Sequence, residues 1–219
     1  MRPYDCLLIA ALCVTLPATP ARAERTQVYS LRGADCGDCG REALAALKKL
    51  KGVKRATWDM NKVEITALVS DGVTDDQVRK TIESASKEFH VLTGPGQGAY
   101  LPQPTYPAGT DVVVLTEDGS AVGPLDELRV PGKYTVFDVY ADWCGPCRTV
   151  DAKLRATVAA RPDIAVRKLN LVRFDSPLAR EFGASLTALP HVVVFAPDGK
   201  RSEFTGSAWP PIARALGIR

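Results

Sequence analysis

Residues 134–147 read YTVFDVYADWCGPC. From Tyr134 to Tyr140 almost every position is apolar, the pattern of a strand buried on both faces in the middle of a sheet. One carboxylate, Asp138, interrupts the run, and desolvation inside such a strand raises a carboxylate pKa. After three intervening residues comes a C-x-x-C pair, Cys144-Gly145-Pro146-Cys147, and beyond it Val150, Leu154 and Val158 recur at helical spacing. Strand, thiol pair and helix follow one another without a break.

The flanking sequence extends this unit. Residues 112–115 form an apolar strand upstream. Downstream, the spacing predicts a strand at 164–171, a helix at 177–182 and a strand at 192–195. Pro197-Asp198-Gly199-Lys200 turns the chain into a strand at 202–205, and a last helix covers 211–216. Alternating strands and helices predict an α/β domain over 110–219.

These residues resemble the thioredoxin-fold domains of exported disulfide reductases. The resemblance rests on Trp143-Cys144-Gly145-Pro146-Cys147, on Asp138 six residues before Cys144, on Lys168-Leu169-Asn170 and on Leu189-Pro190 ahead of an apolar strand. The run DVYADWC, Asp138 to Cys144, is also similar to the C-terminal domain of the transmembrane thiol reductase of the bacterial periplasm. What the resemblance implies is an α/β thioredoxin fold acting as a protein-disulfide reductase without an organic cofactor, and no G-x-G-x-x-G fingerprint occurs in the sequence. On that footing Cys144 is the nucleophile, its thiolate stabilised by the unpaired N–H groups where the helix begins. Cys147, three residues inside the helix and less accessible, resolves the mixed disulfide. Asp138 accepts the Cys147 proton. Lys168 either tunes Asp138 or is an ordinary strand-end lysine. Trp143 belongs to the motif, and Pro190 would follow a cis bond that presents backbone to the substrate. His191 is either substrate-facing or a buried strand histidine. In the resembling family, Gly-Pro between the cysteines goes with reductants.

The chain has 219 residues, 46% hydrophobic and 24% charged, with a net charge of +3. That balance excludes disordered, collagen-like and coiled-coil chains, and so mild a charge calls for no nucleic acid as partner. The length accommodates one large domain or two small ones. Residues 1–23 read as a secretory signal peptide: Arg2, an apolar run of 11 residues from Cys6 to Leu16, then Ala21-Arg22-Ala23 with small residues at the cleavage positions. The run falls short of the roughly 20 residues of a spanning helix. Cleavage after Ala23 delivers a periplasmic protein whose four remaining cysteines form two pairs, Cys36/Cys39 and Cys144/Cys147. Exported proteins usually spend cysteines on structural bridges. A C-x-x-C pair closes too tight a loop to restrain much of the unfolded chain, so both pairs read as chemically active.

Residues 94–109, GPGQGAYLPQPTYPAG, hold four glycines and four prolines. Such a stretch sustains neither a helix nor an inner strand, and it reads as a linker between domains at 24–93 and 110–219. In the first domain, residues 26–31 alternate as a strand, a cysteine-bearing loop runs from Gly33 to Gly40, and Ala43, Leu44, Leu47 and Leu50 fall at helical spacing up to Gly52. Arms at 57–60 and 62–69 turn at Asn61, Thr74 caps a second helix, and residues 89–92 close as a strand. This βαββαβ order predicts an α+β ferredoxin-like domain.

The first domain resembles the heavy-metal-associated domains of copper chaperones, metal-transport ATPases and periplasmic mercury-binding proteins. Gly33-Ala34-Asp35-Cys36-Gly37-Asp38-Cys39, Leu47-x-x-Leu50-x-Gly52-Val53, Asp59, Val63-x-Ile65 and Ile82-x-x-Ala85 carry the likeness. Two thiolates from one loop, Cys36 and Cys39, make a soft, low-coordinate site suited to Cu(I) or Hg(II), whereas zinc takes four ligands. Two features depart from the family: Ala34 stands where Met is usual, and Asp35 and Asp38 flank the cysteines, where negative charge raises thiol pKa values. Lys87 falls near the family's position for a charge-balancing cation and is otherwise a helix-end lysine; His90 reads as a surface residue. A redox disulfide without metal is the alternative for this pair.

Together the motifs predict an exported thiol–disulfide oxidoreductase that keeps metal-site cysteines reduced. Its expected partners are a protein disulfide substrate, a metal-receiving protein and, because the compartment is oxidising, a membrane thiol reductase as electron donor. The alternative is a metal-binding chaperone module whose thioredoxin half serves docking or self-maintenance.

Overall fold

A computed structural model describes residues 23–218; apart from Ala23, the expected signal peptide lies outside the described residues. The chain opens with β1 (Glu24–Ala34), α1 (Cys39–Leu47), β2 (Val53–Asp59), β3 (Glu64–Ser70), α2 (Asp75–Glu83) and β4 (His90–Thr93). The strands lie in the order β2-β3-β1-β4, the split βαββαβ arrangement, with antiparallel pairing throughout. Alternate residues of β1 and β3, among them Tyr29, Leu31, Ile65, Ala67 and Val69, are fully buried against Ala43 and Leu47 of α1 and Val78 and Ile82 of α2. Thr74 starts α2 with a capping box: its hydroxyl accepts from the Gln77 N–H at 3.2 Å, and the Gln77 side chain accepts from the Thr74 N–H at 2.9 Å.

The stretch read as a linker is only partly one. Two of its residues form β5 (Ala99–Tyr100), which pairs in parallel with the end of β1. β5 pairs with β1 at Arg32 and Ala34, on the side that β3 leaves after Ser30, since Arg32 already pairs with His90 of β4 on the other side. Residues 94–97 stay on the first sheet, the Gly94 N–H donating to the Val28 carbonyl at 2.8 Å, whereas Leu101, Pro102 and Tyr106 meet residues of the second unit.

The second sheet is built from β6 (Val112–Thr116), β7 (Tyr134–Tyr140), β8 (Ile164–Asn170), β9 (His191–Phe195) and β10 (Arg201–Thr205), with α3 (Gly145–Ala160), α4 (Pro177–Phe182) and α5 (Trp209–Ala215) between and after them. Strand order is β10-β9-β7-β8-β6, which puts β7 in the centre, parallel to β8 and antiparallel to β9. Both faces of β7 are covered, as its unbroken apolar sequence requires. Val136 packs with Val150 and Leu154 of α3 and Ile212 of α5, while Phe137 and Val139 pack with Leu178 and Ala179 of α4. Among the described residues no helix is long and apolar enough to cross a membrane.

Candidate functional site

The strand-to-helix junction after β7 fixes the second cysteine pair. Cys144 is the N-cap of α3, its Sγ accepting from the Cys147 N–H at 3.2 Å, and Pro146 occupies the first turn, where its missing N–H costs nothing. The two cysteines are joined as a disulfide. Trp143 is held by its indole N–H, which donates at 2.6 Å to the carbonyl of Val172. Val172 itself has φ 60°, a left-handed conformation that a β-branched residue adopts only under strain. The bond between Leu189 and Pro190 is cis, and Leu189 packs against the cysteines.

Below this pair lies a buried charged cluster. Asp138 is wholly buried and faces Lys168 across the β7–β8 register, with Nζ 3.1 Å from Oδ2. Oδ1 of Asp138 has no hydrogen-bond partner among the described residues. Lys168 reaches on to Oδ1 of Asp151, one turn beyond Cys147 on α3, and its ammonium lies 4.4 Å from the centroid of the Tyr140 ring. Asp151 also accepts from the Tyr106 hydroxyl at 2.8 Å and pairs with Arg155 at 3.3 Å. Burial pushes the Asp138 carboxyl above the ordinary carboxylate range, against the opposing pull of Lys168. For Lys168 the balance reverses: burial would lower its pKa, but two flanking carboxylates outweigh burial and hold it above its usual value. A buried ammonium thus sits between two carboxyls, one of which burial pushes upward. Lys168 is therefore buried between two carboxylates rather than facing solvent at a strand end.

Sequence reasoning missed Asp151 and Tyr106. Asp151 had a signal: it is an acidic residue one turn after Cys147, between the apolar positions Val150 and Leu154. Tyr106 had none, since it comes from the Pro-rich stretch. His191, left open from sequence, is a buried strand residue whose Nδ1 lies 3.2 Å from the Thr205 hydroxyl and whose Nε2 lies 2.8 Å from the Glu203 carboxylate, and burial holds its pKa below normal.

The first pair sits on the loop between β1 and α1. Cys36 is half-buried, whereas Cys39 is the first residue of α1 and 4% exposed. The Cys39 thiol donates to Asp35 at 3.1 Å, and ligand atoms of Asp35, Cys36 and Cys39 lie within 4.8 Å of one another. Burial, followed by hydrogen bonds to Cys36 and Asp35, pushes the Cys39 thiol up to about 12. Two sulfurs on one turn fit a soft monovalent cargo and do not make a four-ligand zinc site. Trp58 lies under this loop so closely that a Cβ on Gly40 would come within 2.1 Å of its ring. Met60, from the β2–β3 turn, brings its sulfur within 3.0 Å of where a Gly37 Cβ would stand, although Ala34 replaces the methionine expected before the loop. Lys87 and His90 are exposed.

The two pairs face each other. The Gly37 N–H donates to the Trp143 carbonyl at 2.6 Å, and a Cβ on Gly145 would stand 3.1 Å from the Cys36 Cβ. A cleft of about 580 Å3 between them is lined from one side by Cys36, Trp58 and Met60 and from the other by Trp143, Cys144 and Leu189. Cys147 was expected to be less accessible than Cys144, yet the two are 3% and 4% exposed, Cys144 being closed in by its position opposite the Cys36 loop. Residues of the expected linker run along the seam. The Tyr100 hydroxyl donates to the Met60 carbonyl at 3.0 Å, and the Arg148 guanidinium donates to the carbonyls of Asp35 at 3.3 Å, Leu101 at 2.5 Å and Pro102 at 3.3 Å.

A helix-capping thiol with a second thiol one turn behind it, a carboxyl of raised pKa beneath and a cis-proline beside them defines a dithiol–disulfide exchange domain. The comparisons agree. The thioredoxin family model matches residues 126–212, and mitochondrial thioredoxin-3 of Saccharomyces cerevisiae is 32% identical over 99 residues, covering 45% of this chain and 68% of that protein. The chain belongs to the thioredoxin family, and its second sheet carries that family's thiol–disulfide oxidoreductase machinery. Chloroplast thioredoxin F1 of Arabidopsis thaliana is 29% identical over 84 residues, 38% of this chain; the chain spans 46% of that protein, about half its length. The thiol:disulfide interchange protein DsbD of Pseudomonas fluorescens is 31% identical over 85 residues, 35% of this chain and 14% of that protein. Among solved structures, a yeast copper transporter domain aligns with 32% of this chain and 96% of its own length, at 22% identity and a TM-score of 0.30.

Proposed function

We propose that this protein is an exported, periplasmic disulfide reductase whose thioredoxin half keeps the soft-metal site at Cys36 and Cys39 reduced and able to hold Cu(I), or Hg(II) as another soft ion. In an oxidising compartment two neighbouring thiols drift to a disulfide and release their metal. A reductase on the same chain meets them at an effective concentration that no separate protein matches. The observation that carries this reading is the apposition of the two C-x-x-C loops, Gly37 bonded to Trp143 and Cys36 against Gly145. The division of the chain into a leader at 1–23, a metal-binding domain at 24–93 and a thioredoxin domain at 110–219 belongs to the same proposal. So do a membrane thiol reductase as electron donor, a protein disulfide as substrate and a metal-receiving protein downstream.

Cu(I) binding to the oxidised chain, before and after addition of a dithiol donor, tests it. Wild type regains copper binding, whereas Cys144→Ser stays oxidised at Cys36 and Cys39. Equal recovery in both would separate the two sites chemically and end the reading. A second reading, in which the thioredoxin half serves self-maintenance alone, is favoured by the near-complete burial of Cys144. Insulin-disulfide reduction by the full chain separates the two, since self-maintenance alone leaves insulin intact.

A further inference from the structure

We infer that Cys144 attacks the oxidised first pair at Cys36 and not at Cys39, so that the reaction passes through a Cys36–Cys144 disulfide within one chain. This rests on the reading that the second pair reduces the first and assigns the bond through which it does so. The two sulfurs of a Cys36–Cys39 disulfide are chemically alike but differently placed. Cys36 lines the cleft with Cys144, while Cys39 lies behind it at the start of α1, bonded to Asp35. The residue after Cys36 is bonded to the residue before Cys144, and Cys36 itself lies against the residue after Cys144. The two loops therefore run past each other in a register that sets residue 36 opposite residue 144.

Glycine at position 145 favours the approach, while a side chain at position 37 would crowd Met60 and only touch Trp143. A Cβ at Gly37 would stand 3.0 Å from the Met60 sulfur and 3.6 Å from the Trp143 carbonyl oxygen. One at Gly145 would stand 3.1 Å from the Cys36 Cβ and 3.7 Å from the Asp35 carbonyl oxygen. Arg148, on the first turn of α3 after Cys147, holds the Asp35 carbonyl from the side, so the helix that carries the nucleophile also grips the loop that carries its target. Burial of Cys39 makes it a slow leaving group, but the same burial keeps its sulfur out of the cleft, and thiol exchange requires the attacking sulfur to reach its target.

The electrons balance within the chain. The Cys144 thiolate forms a bond to the Cys36 sulfur, the Cys36–Cys39 bond breaks, and Cys39 leaves as a thiolate that takes a proton from water. Cys147, deprotonated by Asp138, then attacks Cys144, and Cys36 leaves as the second thiolate. Two electrons have passed from the second pair to the first, leaving Cys144–Cys147 oxidised until a dithiol donor restores it.

The full chain carrying Cys147→Ser, oxidised at the first pair with diamide and quenched in acid, stalls after the first step. Non-reducing peptide mapping is expected to find a Cys36–Cys144 linkage in monomers. Two double variants make the assignment independent of trapping: Cys39→Ser with Cys147→Ser should form an intramolecular disulfide at least tenfold faster than Cys36→Ser with Cys147→Ser, each checked by circular dichroism for native folding. A Cys39–Cys144 linkage would overturn the assignment and leave the relay itself standing. Folded monomers with no linkage between the pairs, or linkages only between chains, would overturn both.

Discussion

At the residue scale, Asp138, the base in the proposed function, also carries a cost in stability. Its folded pKa is raised, so the folded state binds a proton that the unfolded state gives up. The stabilisation from that proton is complete below the unfolded carboxylate pKa and lost as pH rises through the folded one. Replacing the ionising group removes the loss. Asp138→Asn should therefore raise urea-unfolding stability at pH 8 relative to wild type, by ~1.4 kcal/mol for each unit by which the native pKa is raised, with the gain vanishing below pH 4. The same variant should reduce a disulfide about 100-fold more slowly at pH 7, because no base takes the Cys147 proton. A stability gain without a rate loss would make Asp138 a structural relic. His191 acts in the opposite pH direction: its pKa is lowered by burial, so its contribution is present above the unfolded histidine pKa and falls away as the solution is acidified.

At the scale of elements, α1 and β2 set the geometry of the first pair. The helix starts on Cys39, and its second residue, Gly40, lies flat on Trp58. Gly40→Ala would place a methyl 2.1 Å from that ring, so either the helix lifts or Trp58 leaves its place. The expected cost is about 1–3 kcal/mol, measured as a lower urea midpoint, together with weaker Cu(I) binding because the loop between Cys36 and Cys39 moves with the helix. Unchanged copper affinity in the destabilised variant would show that the loop holds its shape without α1. Thr74 makes none of the contacts described at the first pair, and Thr74→Ala should cost ~1 kcal/mol through the lost cap while leaving copper binding unaltered.

At the scale of the whole molecule, the two sheets are tied across a seam in which Arg148 makes three contacts to backbone carbonyls and Tyr106 reaches the cluster under the second pair. Removing the guanidinium loosens the seam and uncovers Cys144. Arg148→Ala should accordingly speed reduction of an external protein disulfide such as insulin by about threefold to tenfold, the range allowed if the three exposed bonds together hold the seam by a net ~1 kcal/mol. Its radius of gyration by small-angle scattering should grow in the same variant. A rate that falls would mean that Arg148 serves external substrates as well as the first domain.

The sequence by itself determined the elements of both sheets except β5 and the places of both thiol pairs. Unbroken apolar residues marked β7 as central, alternation marked β1, helical spacing marked α1 and α3, and each C-x-x-C fell at a helix start. Those are local properties, and local periodicity records which face of an element is buried. Asp138 was legible for the same reason, being a carboxylate in an otherwise largely apolar strand, whereas Lys168, flanked by Arg167 and near Asn170, was left open. Tertiary structure alone decided that the Cys36 loop meets the Cys144 loop, that Tyr106 joins Asp151, and that β5 and the residues after it lie along a seam. The groups that make these contacts are chiefly backbone: the carbonyls of Trp143, Asp35, Leu101 and Pro102, and the N–H of Gly37. Nearly every residue carries the same carbonyl and amide, so no side-chain pattern announces which of them will be used, and residues 113 positions apart, such as Arg148 and Asp35, find each other only when two finished surfaces fit.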